Sequence, residues 1–517
     1  MFCPVGEGDG LRRLAIRGAG VTVFSGGVGL GVQVFATVVL ARLLTPGDFG
    51  LVTMVTTFSL LLVNFGWNGF TEAVLQREVI DNFLVSNLFW INVGAGLFLT
   101  IGFAAAGSLL ARFYGDPRVA RVAIAVSITI FFTTLSVHHL ALLKRAMDFP
   151  VVSANDILAR AVSVAVSILL AWAGWGYWAL VAGVVAQSLS TCIGAWSLCR
   201  WVPSLPRPAV GTADMVRFAL STYGRFIANY STWNLDNLLV GWRFGAVPLG
   251  FYKKAYDLFA LSASQLVAPL TAVAVSALSR LDRDSTLYKR YLLGALGITA
   301  FVGMGVGADL TLVGKDLIRL LLGPRWETSG RIFMFFGPGI GVMLLYYTHG
   351  WIHLSIGKAD RWLRWGLVEF TVTALLLLLC LRWGPVGIAA AWTMSFWILT
   401  IPGLWYAGRP IHLGIAPVIA AVWKYVLASL VAGCASAAII REVPLLVAAS
   451  GWVLIATRIV VVSLLCGALY IGAVIVLHQG CAPLYQVTGL LRDMVHVRFS
   501  RSAQVVAVAG SETNAAD

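Results

Sequence analysis

The chain has 517 residues, of which 59% are hydrophobic and 12% charged, with 19 tryptophans and a formal net charge of +14. At a mean hydropathy of +0.86 it is far more apolar than a soluble core of this size requires, which excludes a water-soluble enzyme and makes the chain a polytopic membrane protein. The basic excess then reads as loops facing anionic lipid, and nucleic acid is not expected as a partner.

Apolar runs of roughly 20 residues recur with short polar breaks, the pattern of spanning helices; barrel strands would alternate over segments of about ten. With boundaries good to about four residues, the first six spans are 18–42, 48–71, 84–110, 120–141, 151–173 and 177–199. The run Gly18–Leu40 is too long for a signal-peptide core and counts as the first span. The linker RWVPSLPRP (Arg200–Pro208) follows, and then six more spans at 218–241, 249–275, 291–313, 330–355, 362–382 and 385–406. Two further spans, 415–439 and 445–477, have no counterpart in the first half. The tail holds a short amphipathic piece at 490–499 and ends in polar SETNAAD, expected to be disordered.

The two halves repeat. A shift of 200 residues places Gly50 on Gly250, Leu40 on Val240, Leu44 on Phe244, Phe49 on Leu249 and Leu51 on Phe251, with a proline near the turn in both copies. Further on, a shift of 208 places Leu109 and Gly115 on Leu317 and Gly323, and Trp175-Gly176 on Trp383-Gly384; the polar stretch Ser276–Arg290 can hold the extra residues. The expected fold is therefore all-α, with about 14 membrane helices in two similar six-helix lobes, two C-terminal helices and a central cavity between the lobes. The domains run 1–199, a linker at 200–217, 218–406, the extra pair at 407–478 and a tail at 479–517.

With the N-terminus inside, inner loops and tails collect about 20 Lys and Arg against about 11 in outer loops, so both termini are expected in the cytoplasm. No outer loop exceeds about 20 residues, which leaves no room for an outer catalytic domain. The seven cysteines are scattered and read as reduced packing residues. His138-His139 and the pair His349 and His353 lack partners at ligand spacing, so no metal is assigned. Gly27 and Gly31 form a GxxxG pattern expected to bring helices close.

Charges inside spans are costly in lipid and mark cavities or partners. In the seventh span Arg225, Asn229, Thr232 and Asp236 share one helical face, and in the eighth Lys253, Asp257 and Ser264 do so with Lys254 beside them. The second span carries Thr53, Thr57, Asn64, Asn68 and Thr71, with Glu72 at the edge; the fifth carries Asp156, Arg160, Ser163 and Ser167. Lys253–Asp257 and Asp156–Arg160 are also i, i+4 pairs with an ordinary structural reading, Glu369 is solitary, and Lys424 and Arg458 are expected to snorkel. Cationic walls suit an anionic cargo, and hydroxyl and amide stripes suit sugars.

The segments LARLLTPGDFGLVTMVTTFSLLLVNFGWNGFTEAVLQR, SNLFWIN, ARFYGDP, GYWALVAG, NLDNLLVGWRFGAVPLGFYKKAYDLFAL and LLLGPRW resemble polysaccharide exporters of the multidrug, oligosaccharidyl-lipid and polysaccharide flippase superfamily, near the colanic-acid and lipopolysaccharide branch. The likeness covers roughly residues 10 to 406. It departs from the usual pattern at TWNLDN and at Val247-Pro248, and the last 110 residues match weakly. The resemblance implies a non-enzymatic flippase of the bacterial inner membrane. It would move an undecaprenyl-pyrophosphate-linked oligosaccharide outward by alternating access, for exopolysaccharide or lipopolysaccharide biosynthesis. On that reading Arg225, Lys253 and Lys254 are placed to hold the pyrophosphate. Asn64, Asn68, Asn229, Asn234 and Arg160 would line the cavity or meet sugars, and Glu72, Asp236 and Asp257 could couple to an ion. No cofactor is expected; the driving force is open between a proton gradient, a sodium gradient and the membrane potential. The protein is expected to act as a monomer in the bilayer, with a polysaccharide polymerase or chain-length regulator as potential partner. A cation-coupled drug antiporter, or a non-transport component of a glycan assembly complex, stands as the alternative.

Overall fold

The computed structural model describes residues 9–77, 80–207, 211–281, 285–443 and 451–485. The amphipathic piece and polar end of the tail lie outside the described residues, as do the side chains of Asn68, Arg225 and Ser264. The described chain is helical throughout: α1 (Asp9–Leu43), α2 (Pro46–Phe65), α3 (Thr71–Gln76), α4 (Asn82–Tyr114), α5 (Arg118–Arg145), α6 (Phe149–Trp172), α7 (Tyr177–Cys199), α8 (Thr212–Phe244), α9 (Ala246–Leu281), α10 (Ser285–Leu322), α11 (Glu327–Ser355), α12 (Ala359–Cys380), α13 (Gly384–Gly408), α14 (Ile415–Glu442) and α15 (Trp452–His478).

Among the described residues eleven stretches are long and apolar enough to cross a bilayer, fewer than the fourteen spans expected. The difference has two causes. Helices α12 and α13 run together as one stretch, Asp360–Ile411, and α8 and α9 do not qualify. Those two are among the longest helices, 33 and 36 residues, and they carry the charged stripes that lower their hydropathy.

By contacts, the chain forms two compact units: 1–256 with 318–332 and 373–389, and 257–317 with 333–372 and 390–517. The boundary falls inside α9, after the residues that repeat the first turn. In the first unit α4 packs on α5, α6 on α7, and α1 on α6. Small residues permit these approaches: a Cβ on Gly96 would overlap Thr134, on Gly183 the Ser167 hydroxyl, and on Gly194 the Asn155 amide. The expected packing role of Gly27 and Gly31 is not met, since a Cβ at either would meet open space. On α1 it is Gly18 that carries a close contact, against Phe149.

The proline-rich linker is fastened rather than free. Asn82 Nδ2 donates to Ser204 Oγ at 2.8 Å, while its Oδ1 accepts from Trp201 Nε1 at 2.8 Å. Asn87 clamps Arg207, donating to its carbonyl at 2.6 Å and accepting from its N–H at 3.0 Å. Trp90 Nε1 and the Ser86 hydroxyl hold the backbone of Ser204. Beneath this strap His139, fully buried, meets the Trp201 carbonyl at 3.0 Å and packs in a cluster with Phe89, Trp196 and Trp201.

In the second unit the final helix is tied to α10 by side chains: Tyr470 Oη donates to the Phe301 carbonyl at 2.7 Å, and Arg458 pairs with Asp316 at 3.2 Å. Arg458 therefore does not snorkel to the interface as expected. Its side chain is 25% exposed because a carboxylate on α10 neutralises it in place.

Candidate functional site

The turn that the repeat analysis singles out is where the two halves meet within the first unit. Helix α2 opens on a capping box: Thr45 N–H donates to Asp48 Oδ2 at 2.9 Å, and Thr45 Oγ1 accepts from Asp48 N–H, with Pro46 at the first helical position. Helix α9 opens after Gly245, whose φ of +84° lies in the left-handed region. The two helix starts pack reciprocally. A Cβ on Gly50 would overlap the Ala246 carbonyl, and a Cβ on Gly250 would overlap the Pro46 carbonyl. Pro46 and Ala246 are themselves related by the 200-residue shift, so each copy of the turn places its glycine on the other's first helical carbonyl. This is the self-complementary contact expected of two like elements about a pseudo-twofold axis.

A tryptophan from the segment 324–326 completes the closure. Trp326 is fully buried, donates from Nε1 to the Ala41 carbonyl at 2.8 Å, and meets Phe49 and Phe251 edge-on at centroid distances of 5.5 and 6.0 Å. Arg42 reaches the Leu320 carbonyl at 3.0 Å at the end of α10. In the adjoining turn Arg118 grips Asp116 at 2.7 Å, and that guanidinium holds the Asp116 carboxyl below the usual carboxylate range.

Within two helical turns of this closure lie two buried charged groups. Asp236 of α8 is 0% exposed; its Oδ2 accepts from Tyr252 Oη at 2.5 Å and its Oδ1 from the Asn237 N–H at 2.7 Å. On α9 Lys254 is 9% exposed, with its ammonium 4.1 Å from the centre of the Phe49 ring, a cation–π contact with α2. Burying such groups costs several kcal/mol per ion unless partners compensate. These groups are therefore part of what holds α2, α8 and α9 together here.

Farther along, α2 and α8 are zipped by tyrosines. Tyr230 Oη donates to the Thr57 carbonyl at 2.8 Å and Tyr223 Oη to the Leu61 carbonyl at 2.7 Å. Helix α2 then passes into a π-helical turn, Gly66–Phe70, where Gly69 lies against Ala219 of α8. Such turns recur at functional sites, and Asn68 sits in this one.

The remaining predicted residues are dispersed. Asn64 is half-buried and donates to the Leu60 carbonyl at 2.7 Å, as Thr57 does to Thr53 at 2.8 Å, so part of the α2 stripe is satisfied by its own helix. Asn234 likewise donates to Tyr230 at 3.0 Å, and Asn229 is exposed. Lys253 and Asp257 are half-buried, with the Lys253 ammonium 5.5 Å from the Tyr256 ring centre, and Glu72 is exposed. Arg160 bonds Asp156 at 2.9 Å with 39% and 56% of the side chains exposed, a surface-like pair. Arg225 lies on α8 by its backbone.

Three residues escape the stripe analysis. Tyr252 and Asn237 are uncharged and become informative only through Asp236. Asp309 stands alone between Ala308 and Leu310 on an apolar helix, so no periodic signal marks it.

Among curated proteins, the chain is similar to the succinoglycan biosynthesis transport protein ExoT of Rhizobium meliloti (strain 1021), 21% identical across 69% of this chain and 72% of that protein. It is also similar to the lipopolysaccharide biosynthesis protein WzxC of Escherichia coli (strain K12), 21% identical across 62% and 65%. A third relative is the teichuronic acid biosynthesis protein TuaB of Bacillus subtilis (strain 168), 22% identical across 71% and 76%. Among solved structures, the lipid II flippase MurJ in an inward closed conformation matches with a TM-score of 0.68 at 14% identity, over 89% of this chain and 100% of that one. An inward-facing multidrug resistance MATE family transporter of the MOP superfamily matches at 0.62 and 13%, over 74% and 94%. These structural likenesses establish a shared transporter fold. The family described as polysaccharide biosynthesis protein matches residues 39–330, a stretch that holds both copies of the turn, and the chain belongs to that family.

Proposed function

We propose that this protein flips an undecaprenyl-pyrophosphate-linked oligosaccharide from the cytoplasmic to the outer face of the bacterial inner membrane by alternating access, in exopolysaccharide or lipopolysaccharide biosynthesis. The reading rests above all on the family match over 39–330. Relatives named for succinoglycan transport, lipopolysaccharide and teichuronic acid support it. It is a transporter rather than an enzyme and works as a monomer, handing its product to a polymerase or chain-length regulator.

In this reading both termini are cytoplasmic, and the Gly50–Gly250 contact is the shut outer gate. The first unit then belongs to a state closed to the outside. Arg225, Lys253 and Lys254 hold the pyrophosphate through charge, and Asn64, Asn68, Asn229, Asn234 and Arg160 meet sugar hydroxyls. Lys254, 9% exposed under Phe49, reaches the cargo after α2 and α9 part. Glu72, Asp236 and Asp257 couple the cycle to a proton gradient, a sodium gradient or the membrane potential.

The test is a strain lacking this protein, in which the lipid-linked oligosaccharide is measured on each face of the inner membrane. It should accumulate on the cytoplasmic face, and the wild-type chain should clear it. Arg225→Ala, and Lys253→Ala with Lys254→Ala, should insert at normal levels yet leave roughly tenfold or more of the unit uncleared, as for loss of a charge-assisted bond of about 1.5–3 kcal/mol. Absence of any accumulation refutes the flippase reading and turns attention to a drug antiporter.

A further inference from the structure

The final helix meets α10 along an antiparallel ladder of polar contacts. Tyr470 bonds Phe301, Ser463 Oγ donates to Asp309 Oδ2 at 3.1 Å, and Arg458 pairs with Asp316. Asp309 Oδ1 is buried and has no hydrogen-bond partner among the described residues. The fully buried Ser436 hydroxyl of α14 also lacks one by strict geometry, although it faces the Cys466 thiol, a weak partner. Cys466, 1% exposed, faces the Ser436 hydroxyl and stands one helical turn from Ser463, so the α14 contact lies on the same face of α15 as the bond to Asp309.

A buried carboxylate oxygen without a partner is costly, and the Arg458 guanidinium of α15 lies against a different carboxylate. Arg458 pairs with Asp316, two turns along the helix. A proton on Oδ1 removes the charge and turns that oxygen into a donor. Sodium fits poorly, because one carboxylate and two hydroxyls fall short of a hard cation's oxygen shell.

We propose that Asp309 is a membrane-embedded proton-binding site, and that gain and loss of this proton change how firmly α14 and α15 dock on α10. The carboxylate form keeps the Ser463 bond alone. The acid form carries no net charge and lets the apolar faces of α14 and α15 close on α10 without stranding an anion. Among the described residues, the groups nearest Asp309 on α15 are Ser463, which bonds it, and Cys466 one turn on, with Ser436 of α14 behind Cys466 and the Asp316–Arg458 pair two turns along α10. Helix α11, packed on α10 at Gly303 and Gly307, presents Gly341, Gly337 and Leu344 there and no ionisable group. The site does not touch any residue assigned above to the cargo, so it stands independently of the flippase reading.

Infrared spectroscopy of the full chain in lipid nanodiscs, titrated across about pH 5 to 9, tests it without any cargo. A protonated-carboxyl stretch should titrate in the wild type, disappear in Asp309→Asn, and shift in frequency in Asp309→Glu. Ser463→Ala, which keeps the carboxyl and removes its donor, should tighten proton binding about tenfold. A spin-label distance between α10 and α15 should follow the same titration and become pH-independent in Asp309→Asn. A band set that is identical in wild type and Asp309→Asn overturns the proposal. So does a helix distance that ignores pH while Asp309→Asn merely destabilises the fold, since Asp309 is then a structural hydrogen bond and nothing more.

Discussion

Single atoms decide the closure at the repeated turn. Gly50 and Gly250 each face a backbone carbonyl, which cannot rotate away as a side-chain tip can. A methyl group at either position must push two helix starts apart, and overpacking of this kind costs about 1–3 kcal/mol. Gly50→Ala and Gly250→Ala are therefore expected to lower the population of the closed contact by roughly 5–150-fold. A Cβ on Gly47 lies 3.2 Å from Val247 Cγ2, so a cysteine pair at Gly47 and Val247 reports the contact: its disulfide should form readily in the parent and severalfold more slowly with Gly50→Ala. An unchanged rate contradicts the reciprocal fit. Which glycines matter is only half legible in the residue order. The repeat marks Gly50 and Gly250, but the GxxxG pattern marks Gly27 and Gly31, which face open space. A spacing rule states that a helix can approach there; it carries no information on whether one does.

Elements show the same division. Most helix boundaries within the described residues fall within about four residues of their expected places, because an apolar run in lipid has no alternative to satisfying its backbone internally, whereas α1 begins nine residues early and α10 runs nine residues past its expected end. Caps sharpen the ends, as Thr45 and Asp48 do for α2 and Asp81 does for α4, accepting from Leu84 N–H at 2.6 Å. The linker is the element read least well. The residue order marks only a break between halves there, whereas Asn82 and Asn87 bind it down through four hydrogen bonds. Each such bond contributes about 0.5–1.5 kcal/mol. Asn82→Ala with Asn87→Ala should therefore speed limited proteolysis within residues 200–207 by at least about tenfold, since cleavage follows the open population. Cleavage at the parent rate would show that the strap is held by Trp201 and the aromatic cluster alone. A firm linker also fixes where α8 begins, and α8 carries Asp236 to the closure.

At the scale of the whole molecule, loop charge predicts both termini in the cytoplasm, and the orientation determines which side the closed contact faces. A fluorescent-protein fusion after residue 485 is expected to fluoresce, and an alkaline phosphatase fusion at the same point to be inactive; the opposite pair of results inverts the outer-gate assignment. The residue order alone determined the membrane class and the helical character, because hydropathy and backbone hydrogen bonding act within one segment at a time, and it marked the repeated turn. The charged stripes of α8 and α9 were legible in the same way, as periodicities along one helix. Only the tertiary structure decided that Gly50 meets Ala246, that Asp236 is buried against Tyr252 while Glu72 stays exposed, that Arg458 pairs with Asp316, and that Asp309 is left with a bare oxygen. Each of these depends on which distant helix supplies the neighbour. That is fixed by packing between segments up to about 150 to 200 residues apart, to which no local pattern is sensitive.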